Sequence, residues 1–232
     1  MKRALEVDFL RGIAMIMMAI FHFMFDLQNF NFINVTFTHG PLKIWQLSIL
    51  SIFVLVSGMG LYFAYHKQIN WQKFRKRVFL LGLSAIAITI ATMFIFAKSW
   101  IYFGVIHFML LASILGLAFV RIPLISLIIG IAIVASYQFG YLSTHDIYVA
   151  LKEPLSLPRR SEDLVRFFPW FGILLIGIYL GHVNLFNFKI PENFVTKKVA
   201  LLGQHALSFY LIHQPVLFGS VLAVYTITKG SS

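Results

Sequence analysis

No cysteine occurs in the 232-residue chain, only 8 of its residues are acidic, and charged residues of both signs make up 12%. Without thiols there can be no disulfide, thiolate metal site or cysteine nucleophile. So little charge excludes an ordinary soluble domain, in which about a quarter of the residues are charged. The chain also lacks an HExxH pair, a dense carboxylate–histidine cluster, a GxxxxGK[ST] loop and a GxGxxG turn. No catalytic metal and no standard nucleotide-binding loop are therefore expected. No long acidic, Ser-rich or Gln-rich tract suggests a disordered arm, and no internal repeat suggests an inverted-repeat transporter.

What is present is apolar surface. Hydrophobic residues make up 59% of the chain, mean hydropathy is +0.85, and 25 residues are phenylalanine. Apolar segments of about 20 residues, the length of a bilayer crossing, recur along the whole sequence. Hydropathy and polar breaks predict helices over 4–27, 44–65, 74–96, 101–120, 123–141, 168–183 and 198–227. The expected fold class is all-α, a polytopic transmembrane bundle of about seven helices. One integral-membrane domain is expected over 1–228, with 229–232 a short tail. The N-terminal apolar run is too long for a secretory signal and has no small-residue cleavage site after it.

The excess of 19 Lys and Arg over 8 acidic residues would suggest nucleic acid in a soluble protein. Here the basic residues sit at helix ends, so topology accounts for them and no nucleic-acid partner is expected. With the N-terminus cytoplasmic, eleven fall on the inner side, among them Lys2, Arg3, Lys189 and the group Lys67, Lys73, Arg75, Lys76 and Arg77. Seven fall outside, and Arg11 lies within the membrane. That bias predicts an N-in, C-out arrangement. Two outer segments, 28–43 and 143–167, are long enough to shape a site; the second carries Arg159, Arg160, Glu162 and Asp163.

The first helix stands out. Asp8, Arg11, Met15, Met18, His22 and Asp26 recur at intervals of three or four and so share one face. Four of the six ionise, and ionisable groups inside a membrane mark function by default. Asp8 and Arg11 can pair near the inner end, where Arg11 would bind an anionic ligand or simply anchor the helix at the interface. His22 and Asp26 have the parts of an oriented base, a carboxylate fixing one imidazole nitrogen while the other takes a proton. They can equally hold the bundle together, or serve a proton-coupled transporter or channel as relay groups with His107.

Several residues carry a family resemblance. Arg3, Asp8, Leu10-Arg11-Gly12, Ala14 and His22 resemble the first-helix pattern of the membrane acyltransferase superfamily, and Asp8, Arg11 and His22 match the spacing of its acyltransferase-three branch. FHFMFDL at 21–27, FGVIHF at 103–108, FFPWFGILLIGIYLG at 167–181 and LGQHALSFYLIHQPVLF at 202–218 are similar to bacterial relatives of the heparan-alpha-glucosaminide N-acetyltransferase catalytic domain. The resemblance implies transfer of an acyl group, acetyl first, from cytoplasmic acyl-CoA to a hydroxyl or amine of a glycan or lipid-linked acceptor at the outer face. It also implies a multi-pass protein of a bacterial cytoplasmic membrane. His22 answers to the acyltransferase-three histidine. His39 lies in the loop after the first helix, where the heparan enzyme has its catalytic histidine, and ranks second.

The site expected from these readings has His22, Asp26 and His39 as catalytic residues. Asp8, Arg11, His107, Arg159 and Arg160 would contact the acceptor, and Arg11, Lys73, Arg75, Lys76 and Arg77 the CoA phosphates. In the direct mechanism, His22 deprotonates the acceptor, which attacks the thioester. Acyl-CoA is the co-substrate, and the partners are membrane lipid, acyl-CoA and the acceptor, with a homodimer allowed. His205 and His213, eight residues apart on one face of the last helix and followed by Gln214-Pro215, fit a functional role and a proline kink with polar neighbours equally well, and Phe168-Pro169-Trp170 reads as a helix start with an interfacial anchor.

Overall fold

A computed structural model describes residues 5–161, 163–185 and 190–229. Lys2, Arg3, Glu162, Lys189 and the tail residues 230–232 lie outside the described residues. Among the described residues all regular structure is helical: α1 Leu5–Asn29, α2 Gly40–Tyr65, α3 Trp71–Ile95, α4 Val105–Gly116 with a 3-10 turn Leu117–Phe119, α5 Pro123–Gln138, α6 His145–Lys152, α7 Phe167–His182, α8 Phe194–Gln204 and α9 Ala206–Lys229. Four helices, Leu5–Asn29, Gly40–Tyr65, Trp71–Ile95 and Ala206–Thr228, are long and apolar enough to span a bilayer, and Val105–Phe119, Pro123–Gln138 and Phe167–His182 are shorter apolar helices. The protein is a multi-pass membrane protein. In keeping with this, α3 is the most apolar of the four and among the least buried: Phe79, Ile86 and Phe94 face outward along it. A lipid-facing helix shows that order; a soluble core helix shows the reverse.

The structure divides into two compact units, residues 1–56 with 186–232, and residues 57–185, so α2 contributes to both. In the first unit, α8 and α9 pack along α1. Asn193 caps α8 by accepting from Thr196 N at 2.9 Å, and Thr196 closes the box on Asn193 N at 3.1 Å. Two glycines allow the helices to touch backbone to backbone. A Cβ on Gly12 would collide with the Val199 carbonyl, and one on Gly203 with the Asp8 carbonyl. Such close approach through small residues is how helices pack where lipid offers no hydrophobic drive. Further along, Met15, Met18, Phe21, Ile49 and Ala206 form a core with Trp45, Phe53, Phe209 and Tyr210 against it.

In the second unit the tightest crossing joins α5 and α7, where a Cβ on Gly130 or Gly172 would lie 2.7 Å from the other's carbonyl oxygen. Leu174, Leu175, Ile178 and Phe108 are fully buried, and Ser126 donates to Leu175 O at 2.8 Å. Pro123 opens α5, where its missing N–H costs nothing. Asn70 caps α3 by accepting from Lys73 N at 2.9 Å, so the helix starts at Trp71, ahead of the expected residue 74.

Other boundaries also differ from expectation: α2 starts at Gly40 and α4 at Val105, where 44 and 101 were expected. The helix expected over 198–227 is two helices, because the chain leaves helical geometry at His205, with φ −103° and ψ 25°. The segment 143–167, expected as a loop, contains its own short helix, α6.

Candidate functional site

The stripe on α1 faces protein. Asp8, Met15, Met18 and Asp26 are buried, and Arg11 and His22 are partly so. At its N-terminal end Arg11 Nη1 donates to Asp8 Oδ1 at 3.0 Å and to Gly203 O at 3.4 Å. The expected Asp8–Arg11 pair therefore forms, and it joins α1 to α8 at the point where Gly203 lets the backbones meet. An open groove of about 350 Å³ lies between the start of α1 and α8, lined by Leu5, Phe194, Lys197, Lys198, Leu201 and Gln204. Lys197 pairs with Glu192 at 3.5 Å, and the Lys198 ammonium sits 5.4 Å from the centroid of the Phe194 ring.

At the other end of the stripe the expected partnership is rearranged. The Asp26 carboxylate, 1% exposed, accepts from Gln214 Nε2 on α9 at 3.1 and 3.3 Å, one bond to each oxygen, where the sequence pattern had placed His22 as its partner. A residue 188 positions away supplies the donor. The His22 ring lies against His213 of α9, centroids 5.2 Å apart and planes at 65°. His213 is itself buried, stacked on Phe209, with Nδ1 2.7 Å from Tyr210 O. Near the C-terminal end of α1 the first unit thus gathers two imidazoles, a carboxylate and an amide beside Phe21, Trp45 and Phe209. Trp45 Nε1 and Gln214 Oε1 are buried with no protein partner, so this surround keeps polar atoms available.

The remaining predicted residues are dispersed. His39 is exposed just before α2, its Nδ1 3.1 Å from Thr38 Oγ1. His107 in α4 is bound at both nitrogens: Nδ1 accepts from Gly104 N at 3.3 Å, and Nε2 lies 3.0 Å from Thr89 Oγ1, which donates to Ile101 O. Since Nδ1 accepts, Nε2 carries the hydrogen and donates to Thr89, so the ring ties the start of α4 to α3. Val105 N donates to Asp163 at 3.2 Å. Arg159 and Arg160 are exposed in the segment after α6, and Lys73, Arg75 and Lys76 are exposed on α3. Arg77 donates to Ser113 Oγ at 3.3 Å and keeps a buried Nε without partner. Among the described residues no group of three His, Cys, Asp or Glu could hold a metal.

The sequence singled out His213 and Gln214 beside Pro215 but did not reveal their contacts with His22 and Asp26. Their signal was present: a His-Gln pair in an apolar run is as anomalous as the stripe on α1.

The family described as heparan-alpha-glucosaminide N-acetyltransferase, catalytic, matches the chain over residues 3–215, which takes in all of the stripe and both His213 and Gln214. No curated protein and no solved structure matches.

Proposed function

Because the chain belongs to the heparan-alpha-glucosaminide N-acetyltransferase catalytic family, a family of membrane acetyltransferases, we propose that it moves an acetyl group from cytoplasmic acyl-CoA to a hydroxyl or amine of a glycan or lipid-linked acceptor at the opposite face. One observation carries this reading: α1 and α9 bring together the buried Asp26 and His213 and the partly buried His22 and Gln214, in a part of the protein where lipid tolerates ionisable groups only at a cost. Acyl transfer needs what that cluster holds, a base for the acceptor's proton and a fixed negative charge to stabilise the imidazolium that forms.

Gln214 neutralises part of the cost of burying Asp26 and keeps the carboxylate in place beside the imidazoles. Arg11, held by Asp8 and Gly203, orders the inner half of α1. The lysine-rimmed groove beside α8 suits the anionic head of the donor, as does the exposed basic face of Lys73, Arg75 and Lys76 on α3. His39, exposed on the loop after α1, stays the second candidate catalytic histidine, and Arg159 and Arg160, exposed in the second unit, stay candidate acceptor contacts. The spanning count stays at about seven, with the three shorter apolar helices crossing alongside the four long ones, the N-terminus cytoplasmic, and the membrane a bacterial inner one.

Purified protein in lipid nanodiscs, mixed with acetyl-CoA labelled in the acetyl group and an extract of membrane glycans and lipids, tests the reading. Transfer of label to one acceptor fraction is expected. Absence of donor binding and of transfer, with pH-gradient-driven flux in proteoliposomes lacking acyl-CoA, would favour a transporter instead.

A further inference from the structure

Of the two imidazoles that meet between α1 and α9, His213 is the one whose tautomer the fold dictates. Its Nδ1 lies 2.7 Å from Tyr210 O and 3.3 Å from Phe209 O. Carbonyl oxygens only accept, so in the neutral ring Nδ1 bears the hydrogen and Nε2 bears the lone pair. The ring cannot turn freely: it stacks on Phe209 at 11° with centroids 5.6 Å apart, meets Tyr210 at 5.6 Å, and meets the edge of His22 at 5.2 Å. An acceptor group on one nitrogen that leaves the other basic is the arrangement a general base requires. Here a main-chain carbonyl does what a carboxylate does in the familiar triad.

The neighbouring residue strengthens the case. Gln214 spends its amide hydrogens on Asp26, which leaves Oε1 buried and without a protein donor. An unpaired buried acceptor costs about 1–3 kcal/mol, and a ligand's hydroxyl or amine hydrogen would remove that cost. The basic nitrogen and the unpaired acceptor therefore belong to consecutive residues of one helix.

We propose that His213, through Nε2, is the group that takes the acceptor's proton, and that Gln214 is a positioning residue that fixes Asp26 and receives a hydrogen bond from the acceptor. The inference rests on the acyl transfer proposed above. The acceptor's X–H bond gives its proton to Nε2 while X attacks the thioester carbonyl carbon. The C–S bond then breaks, and the departing thiolate takes the proton back from the imidazolium. The products are the acylated acceptor and free CoA thiol. The charged and titratable groups around His213 are His22 and Asp26 from α1 and Tyr210 from α9 itself; the residues α2 brings to this core, Leu42, Trp45, Ile49 and Phe53, have no titratable side chain.

His213→Asn separates this role from a structural one, because the Asn amide can still donate to Tyr210 O where Nδ1 did. Thermal stability close to wild type is expected, with the KM for acetyl-CoA unchanged and kcat lower by about 10²–10⁴. The fall of kcat/KM on the acid side, which reports protonation of the base, should disappear. His213→Gln, the second variant should the first fold poorly, carries the same expectation. An active wild type whose folded His213 variants keep kcat within threefold and retain the acid limb overturns the inference and leaves the proposed transfer standing. A wild type with no transfer at all removes the reading and the inference together.

Discussion

Asp26 shows what the spacing on one helix can and cannot tell. That Asp8, Arg11, His22 and Asp26 share a buried face follows from helical geometry alone, and the pairing of Asp8 with Arg11 three residues away is local, so both were legible. The partner of Asp26 was not, because Gln214 is brought in by packing of α9, and no periodicity in α1 contains that information. The same reason hid the proximity of His22 to His213. Two variants test these contacts at their own scale. Gln214→Leu leaves a buried carboxylate without its donor and should cost about 3 kcal/mol, seen as a lower midpoint of thermal unfolding in detergent, whereas the companion Gln214→Leu/Asp26→Leu should recover much of that loss. His107→Leu removes the acceptor for Gly104 N and the donor to Thr89, and should destabilise by about 1–2 kcal/mol in the same measurement.

At the scale of elements, apolar runs located α1, α2, α3, α5 and α7 to within a few residues, and for α1, α2 and α3 a bilayer imposes the length whatever the packing. The division of the last helix was hidden because residues on both sides of His205 are apolar and helix-compatible. Only the requirement that Gly203 meet the Asp8 backbone while α9 runs on beside His22 shows why the chain breaks there. That contact makes a sharp prediction. Gly203→Ala and Gly12→Ala each place a methyl group on a main-chain carbonyl, so the helices must part, with destabilisation of about 1–3 kcal/mol or loss of folded yield. Gly219→Ala, at a site where an added Cβ meets nothing within 4 Å, is the control, and size-exclusion profiles of the three should separate accordingly. Asn70→Ala, which removes the α3 cap, should cost about 1 kcal/mol.

For the whole molecule, the division of labour is clearest within the first unit, whose α1, α8 and α9 carry the ion pair, the lysine-rimmed groove and the imidazole cluster. The second unit is built mainly of apolar helices crossing at Gly130 and Gly172, with basic side chains displayed on α3. Ionisable groups buried on one face of a helix in a membrane protein mark function by default. The direct test is steady-state release of CoA thiol from acetyl-CoA by the protein in nanodiscs, with and without acceptor extract, for wild type and for Asp26→Asn. The account predicts acceptor-dependent thiol release that falls at least a hundredfold in the folded Asp26→Asn protein. Equal release by the two proteins, or none from the wild type, would contradict it.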